Sequence, residues 1–148
     1  MRGLYIGRFQ PPHKGHIRVV KHILDDVDDL IIGIGSAQSS HTKDNPFKAG
    51  ERIEMLLRAL KESELKRNCF MINPLPDINF NSIWVNYVES MIPEFSSVYT
   101  GNSLVSRLFE EEGYDVNHLP MFDKNEYSAT EIRKRMLNDK DWEELVPE

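Results

Sequence analysis

Leu4-Tyr5-Ile6 runs directly into Gly7-Arg8-Phe9-Gln10-Pro11-Pro12-His13-Lys14-Gly15-His16, and this opening decides how the chain is read. The apolar triplet reads as a buried first strand, and the glycine, prolines and histidines after it read as a turn into a first helix. Such a junction suits an anion, because the first turn of a helix offers unpaired N–H groups and a partial positive charge. His13 and His16 lie three residues apart, so a helix beginning nearby turns both imidazoles the same way. Gly15 removes a side chain where a bulky ligand would approach the backbone. The plainer reading is a turn and helix that merely contain histidines. It leaves two prolines, two histidines and a glycine within Pro11 to His16 as coincidence.

The 148 residues suffice for one domain that buries roughly two thirds of its extended-chain surface. A formal charge of -6, from 24 acidic and 18 basic residues, argues for solubility and against a nucleic-acid partner, while leaving room for a local cationic pocket. The single cysteine, Cys69, has no internal disulfide partner and suits a reduced thiol in a cytoplasmic protein. The sequence contains no apolar stretch of membrane-spanning length and no signal-peptide core, so no membrane association is expected.

Extended and helical periodicities alternate. Residues 4–7 read as the first strand, followed by a helix with Ile17, Val20, Ile23, Leu24 and Val27 on its inner face. Residues 30–35 read as a second strand, apolar on both faces as a central parallel strand requires. A helix over residues 50–60 turns Ile53, Leu56, Leu57 and Leu60 inward, and residues 69–72 read as a third strand. Trp84, Val85 and Val88 share a helix that Pro93 closes. Residues 97–100 form the next strand, whose Gly101-Asn102-Ser103 exit opens a helix carrying Leu104, Val105, Leu108 and Phe109; residues 114–119 fit an edge strand. Ser128-Ala129-Thr130-Glu131 is a capping box that starts a last helix running to about residue 137. The alternation predicts a single α/β domain over residues 1–148, three-layered around a mostly parallel sheet, with a C-terminal helical segment from about residue 128.

In such sheets ligands sit beyond the carboxyl ends of the strands. That rule gathers Gly7-Arg8, Gly35-Ser36-Ala37-Gln38 and Gly101-Asn102 at one rim, and the last helix brings Thr130 and Arg133 there from one of its faces. Donors, small residues and cations together suit a nucleotide's phosphates. The G-x-x-x-x-G-K-[ST] loop is absent, and Gly33-Ile34-Gly35 is no G-x-G-x-x-G opening. The two histidines have no clear third ligand nearby, so no metal site is assigned.

His13-Lys14-Gly15-His16 resembles the H-x-G-H signature of the nucleotidyltransferase α/β phosphodiesterase superfamily. Ser128 to Arg133 resembles its second signature, S-x-T-x-x-R, in the same order along the chain. The likeness extends through I-G-I-G-S-A-Q-x-S-H-T ending at Thr42, N-P-F-x-A-G-E-R ending at Arg52, F-N-S-I-W-V over residues 80–85, and G-N-x-L-V from Gly101. Together these make the chain resemble the archaeal-type nicotinamide-nucleotide adenylyltransferases, with the Rossmann-like sheet of the H-x-G-H nucleotidyltransferases. Pro12 stands where that family usually carries an aromatic residue, and the sequence stops at Glu148 where relatives usually continue with another helical segment.

The resemblance implies transfer of AMP from ATP to nicotinamide mononucleotide, giving NAD and pyrophosphate. A phosphate with a second pKa of about 6 is already largely anionic near neutrality, so positioning and charge neutralisation are the protein's main tasks. His13, His16 and Arg133 are then the catalytic residues, the histidines donating to ATP phosphate oxygens. Arg8, Lys14 and Arg133 offset repulsion between the two anionic substrates. Gly7, Phe9, Gly101, Asn102, Ser128 and Thr130 fall near ATP, although capping alone explains Ser128. Phe122 and Tyr127 lie near the base or equally pack the last helix. Ser36, Gln38, Asn81 and Trp84 go to the acceptor, Trp84 by stacking on the nicotinamide ring, against the plainer reading that it is core. Lys43 occupies the stretch where some relatives supply an arginine to the acceptor phosphate. Mg²⁺ is expected as the counter-ion of the triphosphate, held largely by its oxygens. The competing readings are adenylyl or cytidylyl transfer to another small phosphorylated acceptor, and a nucleotide-sensing module without turnover. The family resemblance also implies a cytoplasmic homo-oligomer, a hexamer. The residues themselves support only an association that covers apolar groups at Ile83-Trp84-Val85 and Met91-Ile92-Pro93.

Overall fold

Strands and helices alternate throughout the part of the chain that the structure, a computed structural model, describes: residues 1–63, 65, 70–78 and 80–119. The order is β1 (Arg2–Gly7), α1 (Lys14–Leu24), β2 (Asp29–Ile34), α2 (Ala49–Glu62), β3 (Phe70–Pro74), α3 (Asn81–Met91), β4 (Ser97–Thr100), α4 (Ser103–Glu111) and β5 (Asp115–His118). All pairings are parallel and the spatial order is β3-β2-β1-β4-β5. The chain winds from the centre to one edge, then returns beside β1 and winds to the other. The topological switch point, where such sheets hold their ligands, falls between β1 and β4.

Two-residue periodicity in the strands builds a core on each face of this sheet. Leu4, Ile6, Ile31 and Val98 pack with Trp84, Val88 and Phe109 on the α3 and α4 side. Tyr5, Leu30, Ile32, Ile34 and Tyr99 pack with Val20, Ile23, Leu56 and Leu60 on the α1 and α2 side. Because β1 is bonded on both flanks, with Leu4 opposite both Ile31 and Val98, its exit is held centrally above the two cores.

Most elements lie where periodicity put them, with differences at the ends. β1 starts at Arg2, and Gly35 lies just past β2. Val27 follows α1 rather than belonging to it, yet is buried. The expected inner face of α4 is too wide: Phe109 is fully buried, but Leu104 is 50% exposed because it lines an open cavity at the rim. In α2, Ile53 and Leu57 are only half-buried, whereas Arg52 is fully buried. Cys69, the Ser128–Glu131 capping box and the helix expected to run to about residue 137 lie outside the described residues. Among the described residues no helix is long and apolar enough to cross a membrane.

Phe109 joins the aromatic groups of the α3–α4 core. Its ring meets Trp84, Phe95 and Tyr114 edge-on, at centroid distances of 5.7, 6.0 and 5.5 Å. Phe109→Ala is expected to lower unfolding stability by about 3–5 kcal/mol, read as a fall in urea midpoint at unchanged slope.

Candidate active site

The first turn of α1 is closed by its own histidines. His13 is the N-cap, and its Nδ1 accepts the Gly15 amide at 3.1 Å; His16 returns the bond, its Nδ1 accepting the His13 amide at 3.0 Å. This is a capping box made of two imidazoles, with the rings stacked at 3.7 Å between centroids and 25° between planes. The Phe9 ring lies 4.5 Å from that of His16 between centroids, tilted by 58°. Burial pushes the His13 pKa down to about 4. Burial, and then the neighbouring His13, hold His16 well below the usual histidine range. Both rings are therefore neutral near pH 7. With each Nδ1 occupied by a backbone donor, each ring carries its proton on Nε2, as a hydrogen-bond donor.

Behind this turn, a single guanidinium organises the exits of two strands. Arg52 is fully buried in α2, and its Nη1 donates to Arg8 O and Gly35 O, both at 2.9 Å. Its Nη2 donates to Ser36 O at 3.1 Å and Ser39 O at 3.3 Å, and its Nε donates to Lys48 O at 3.4 Å. The Gly35 amide adds a direct bond to Gly7 O at 2.8 Å. Buried Gln10 clamps the backbone of Phe47 through both of its amide atoms. Phe9 and Ser36 adopt φ of +52° and +49°, a region non-glycine residues rarely visit and one that recurs at ligand sites.

Beside the exit of β2, Asp77 gathers Ser36 and Gln38. Its carboxylate accepts Ser36 Oγ at 2.7 Å and Gln38 Nε2 at 3.3 Å, and its amide donates to Gln38 Oε1 at 2.9 Å. Asp77 also walls a cavity of about 500 Å³ with Ile78, Asn81, Trp84, Leu104, Val105 and Leu108. Asn81 and Trp84, placed together by helical spacing, do line one space.

The remaining expected site residues divide clearly. Gly7 ends β1, and a Cβ there would meet the Phe9 ring at 3.1 Å, so its smallness serves Phe9. The Phe9 ring itself is 1% exposed and belongs to the core, beside His16. Trp84 is at once core, at 7% exposure, and cavity wall. Arg8, Lys14 and Lys43 are exposed. Arg8 Nη1 lies 3.4 Å from Asn45 Oδ1. Gly101 and Asn102 are exposed at the exit of β4, where Asn102 caps α4 by accepting the Val105 amide at 3.0 Å. Phe122, Tyr127, Ser128, Thr130 and Arg133 lie outside the described residues.

Arg52, Gln10 and Asp77 escaped the reading of the sequence. A signal existed for Arg52, which shares a helix face with Leu56 and Leu60 at spacings of four. For Asp77, between Pro76 and Ile78 in an irregular segment, periodicity offers none.

The chain is similar to several known proteins. The cytidylyltransferase-like family pattern matches residues 4–135. A nicotinamide-nucleotide adenylyltransferase of Pyrococcus furiosus is 62% identical over 147 residues, covering 99% of this chain and 78% of that protein. Another, of Archaeoglobus fulgidus, is 53% identical over 152 residues, covering 100% and 87%. A solved bifunctional NMN adenylyltransferase/ADP ribose pyrophosphatase from Francisella tularensis has a TM-score of 0.81 at 25% identity, over 98% of this chain and 44% of that longer one. Fold, histidine turn and sequence thus define a nucleotidyltransferase of the cytidylyltransferase-like class. Within that class, the chain belongs to the archaeal-type nicotinamide-nucleotide adenylyltransferases.

The histidine pair gives the fold a pH dependence of defined sign. Between the ordinary histidine value of 6.5 and about 4 the unfolded chain takes up more protons than the folded one, so this contribution is complete above pH 6.5 and is lost as pH falls through that window. Urea midpoints should fall from pH 7.5 to pH 5. In His13→Asn, whose amide oxygen can still cap α1, the fall should be smaller.

Proposed function

We infer that this rim joins the AMP moiety of ATP to the phosphate of nicotinamide mononucleotide, forming NAD and releasing pyrophosphate. The reciprocal histidine cap carries the reading: it leaves two neutral Nε2–H donors at a helix start. An acceptor phosphate oxygen forms the new bond to the α-phosphorus as the bond to the bridging oxygen breaks, and that electron pair leaves with pyrophosphate. His13 and His16 donate hydrogen bonds to the phosphates as charge moves outward, and they give up no proton. Arg8 and Lys14 supply positive charge from the loop and the first turn. Arg133, Ser128 and Thr130, from the closing segment, complete the phosphate site, with Phe122 and Tyr127 near the base. Gly101 and Asn102 leave the β4 exit open to the nucleotide. Mg²⁺ arrives as part of the substrate, gripped by triphosphate oxygens; among the described residues no group of three or more His, Cys, Asp or Glu side chains is placed to hold a metal.

The acceptor lies across the α3 cavity. Trp84 stacks its indole on the pyridinium, a cationic ring that suits an indole face. Asn81 lines the same space, and Ser36 and Gln38 hold Asp77 at its wall. Lys43 draws the acceptor phosphate. The chain works in the cytoplasm as a homo-oligomer, a hexamer. Half-exposed Ile83 and Met91 support a contact surface there, while Trp84, Val85 and Ile92 are covered by the subunit's own core.

Incubation with ATP, Mg²⁺ and nicotinamide mononucleotide should yield NAD; folded, ATP-binding protein that forms none would overturn the reading. Trp84→Ala should raise the acceptor's KM about five- to tenfold and ATP's much less, the loss of a cation–π contact of about 1 kcal/mol. Equal losses for both substrates would return Trp84 to the core alone. Lys43→Glu should raise the same KM. With acceptor in excess, the rate should fall below about pH 6 as the acceptor phosphate takes up its proton, and stay level above pH 7, because neither histidine titrates there.

A further inference from the structure

All five N–H groups of the Arg52 guanidinium meet carbonyl oxygens, and the described residues give it no ion pair. The carbonyls come from three places: the residue after β1, the loop after β2 and the residue before α2. None belongs to a helix or strand interior. We propose that Arg52 is the positioning residue that couples the two halves of the site, fixing the ATP-side loop at Arg8 to the acceptor-side loop at Gly35, Ser36 and Ser39 so that binding of either substrate strengthens binding of the other. The inference rests on the reading of this rim as an ATP-and-acceptor site.

The geometry accounts for both the coupling and the choice of arginine. A guanidinium is planar and rigid, so a shift of Ser36 O on one edge is carried to Arg8 O on another rather than absorbed. Ser36 leads directly to the Asp77 contact on the cavity wall, and Arg8 leads directly to Phe9, whose ring supports His16. Lysine offers three donors, which leaves at least two of the five carbonyls unmet. A buried cation without a carboxylate is a poor device for stability alone. Its charge adds instead to that of Arg8, whose repulsion, after burial, lowers the Arg52 pKa. An anion at Arg8 relieves that repulsion, which links phosphate binding to the same group.

Calorimetry can measure the dissociation constants of nicotinamide mononucleotide and of α,β-methylene ATP, which cannot transfer AMP, each alone and then together. Arg52→Lys should weaken both by about tenfold and bring the coupling factor close to one. Leu56→Ala, fully buried on the same helix and remote from the loop carbonyls, should leave all three near wild type when measured well below its melting temperature. Arg52→Lys changing only one constant, or preserving the coupling, would overturn the proposal. Should that variant fail to fold, amide hydrogen exchange on the unaltered protein decides. The ATP analogue alone should slow exchange at residues 35–39, and nicotinamide mononucleotide alone should slow it at residues 8–15; protection confined to each ligand's own loop overturns the coupling. Neither readout needs turnover, so a failure to form NAD bears on the reaction and not on Arg52.

Discussion

Buried backbone must find hydrogen-bond partners, and that demand is sharpest where parallel strands leave the sheet. At the exits of β1 and β2 the chain turns away before its carbonyls reach water, so a group from outside the sheet has to meet them. One side chain on α2 does so, and the position of everything at the rim follows. The loop after β1 delivers the histidine turn, and the loop after β2 delivers Ser36 and Gln38, which hold Asp77 at the wall of the α3 cavity. Neither has a hydrophobic core of its own.

The opposite problem arises at the start of α1, where N–H groups lack partners. The two imidazoles solve it by capping each other's backbone, and the solution fixes their chemistry. An imidazole that accepts at Nδ1 is neutral and presents N–H at Nε2. Burial depresses both pKa values and so reinforces that state. Tautomer, protonation state and ring orientation thus come from one local motif, formed before any ligand arrives.

Much of the fold is legible in the sequence because its signals are local. Leu4 to Ile6 and Leu30 to Ile34 are apolar on both faces, as only a strand covered twice can be, and the spacing of Ile17, Val20 and Ile23 leaves little choice but a helix. His13 and His16 were legible for the same reason, three residues apart at a recognisable start. What local pattern does not carry is partnership across the fold. Arg52 meets Arg8 at a separation of 44 residues, and Asp77 meets Ser36 at 41. A charged residue on an apolar helix stripe looks like a lapse in periodicity until its partners are in place. Trp84 shows another limit: spacing alone sets core against ligand wall as alternatives, and a large indole serves both, with one edge on Phe109 and another surface on the cavity.

The histidine cap has a consequence for how this protein can be altered. At most reactive centres the working groups weaken the fold, so stability gained by engineering is taken from activity. Here the two demands fall on one motif, because the imidazoles of the candidate site also hold the first turn of α1 closed. A screen for heat resistance alone, blind to turnover, would retain the cap but accept asparagine at position 13 as readily as histidine. Thermal selection on this scaffold therefore preserves the closed first turn and not the imidazoles themselves, and a further trade-off should surface in the loops around Ser36 and His41, where the backbone is held in uncommon conformations.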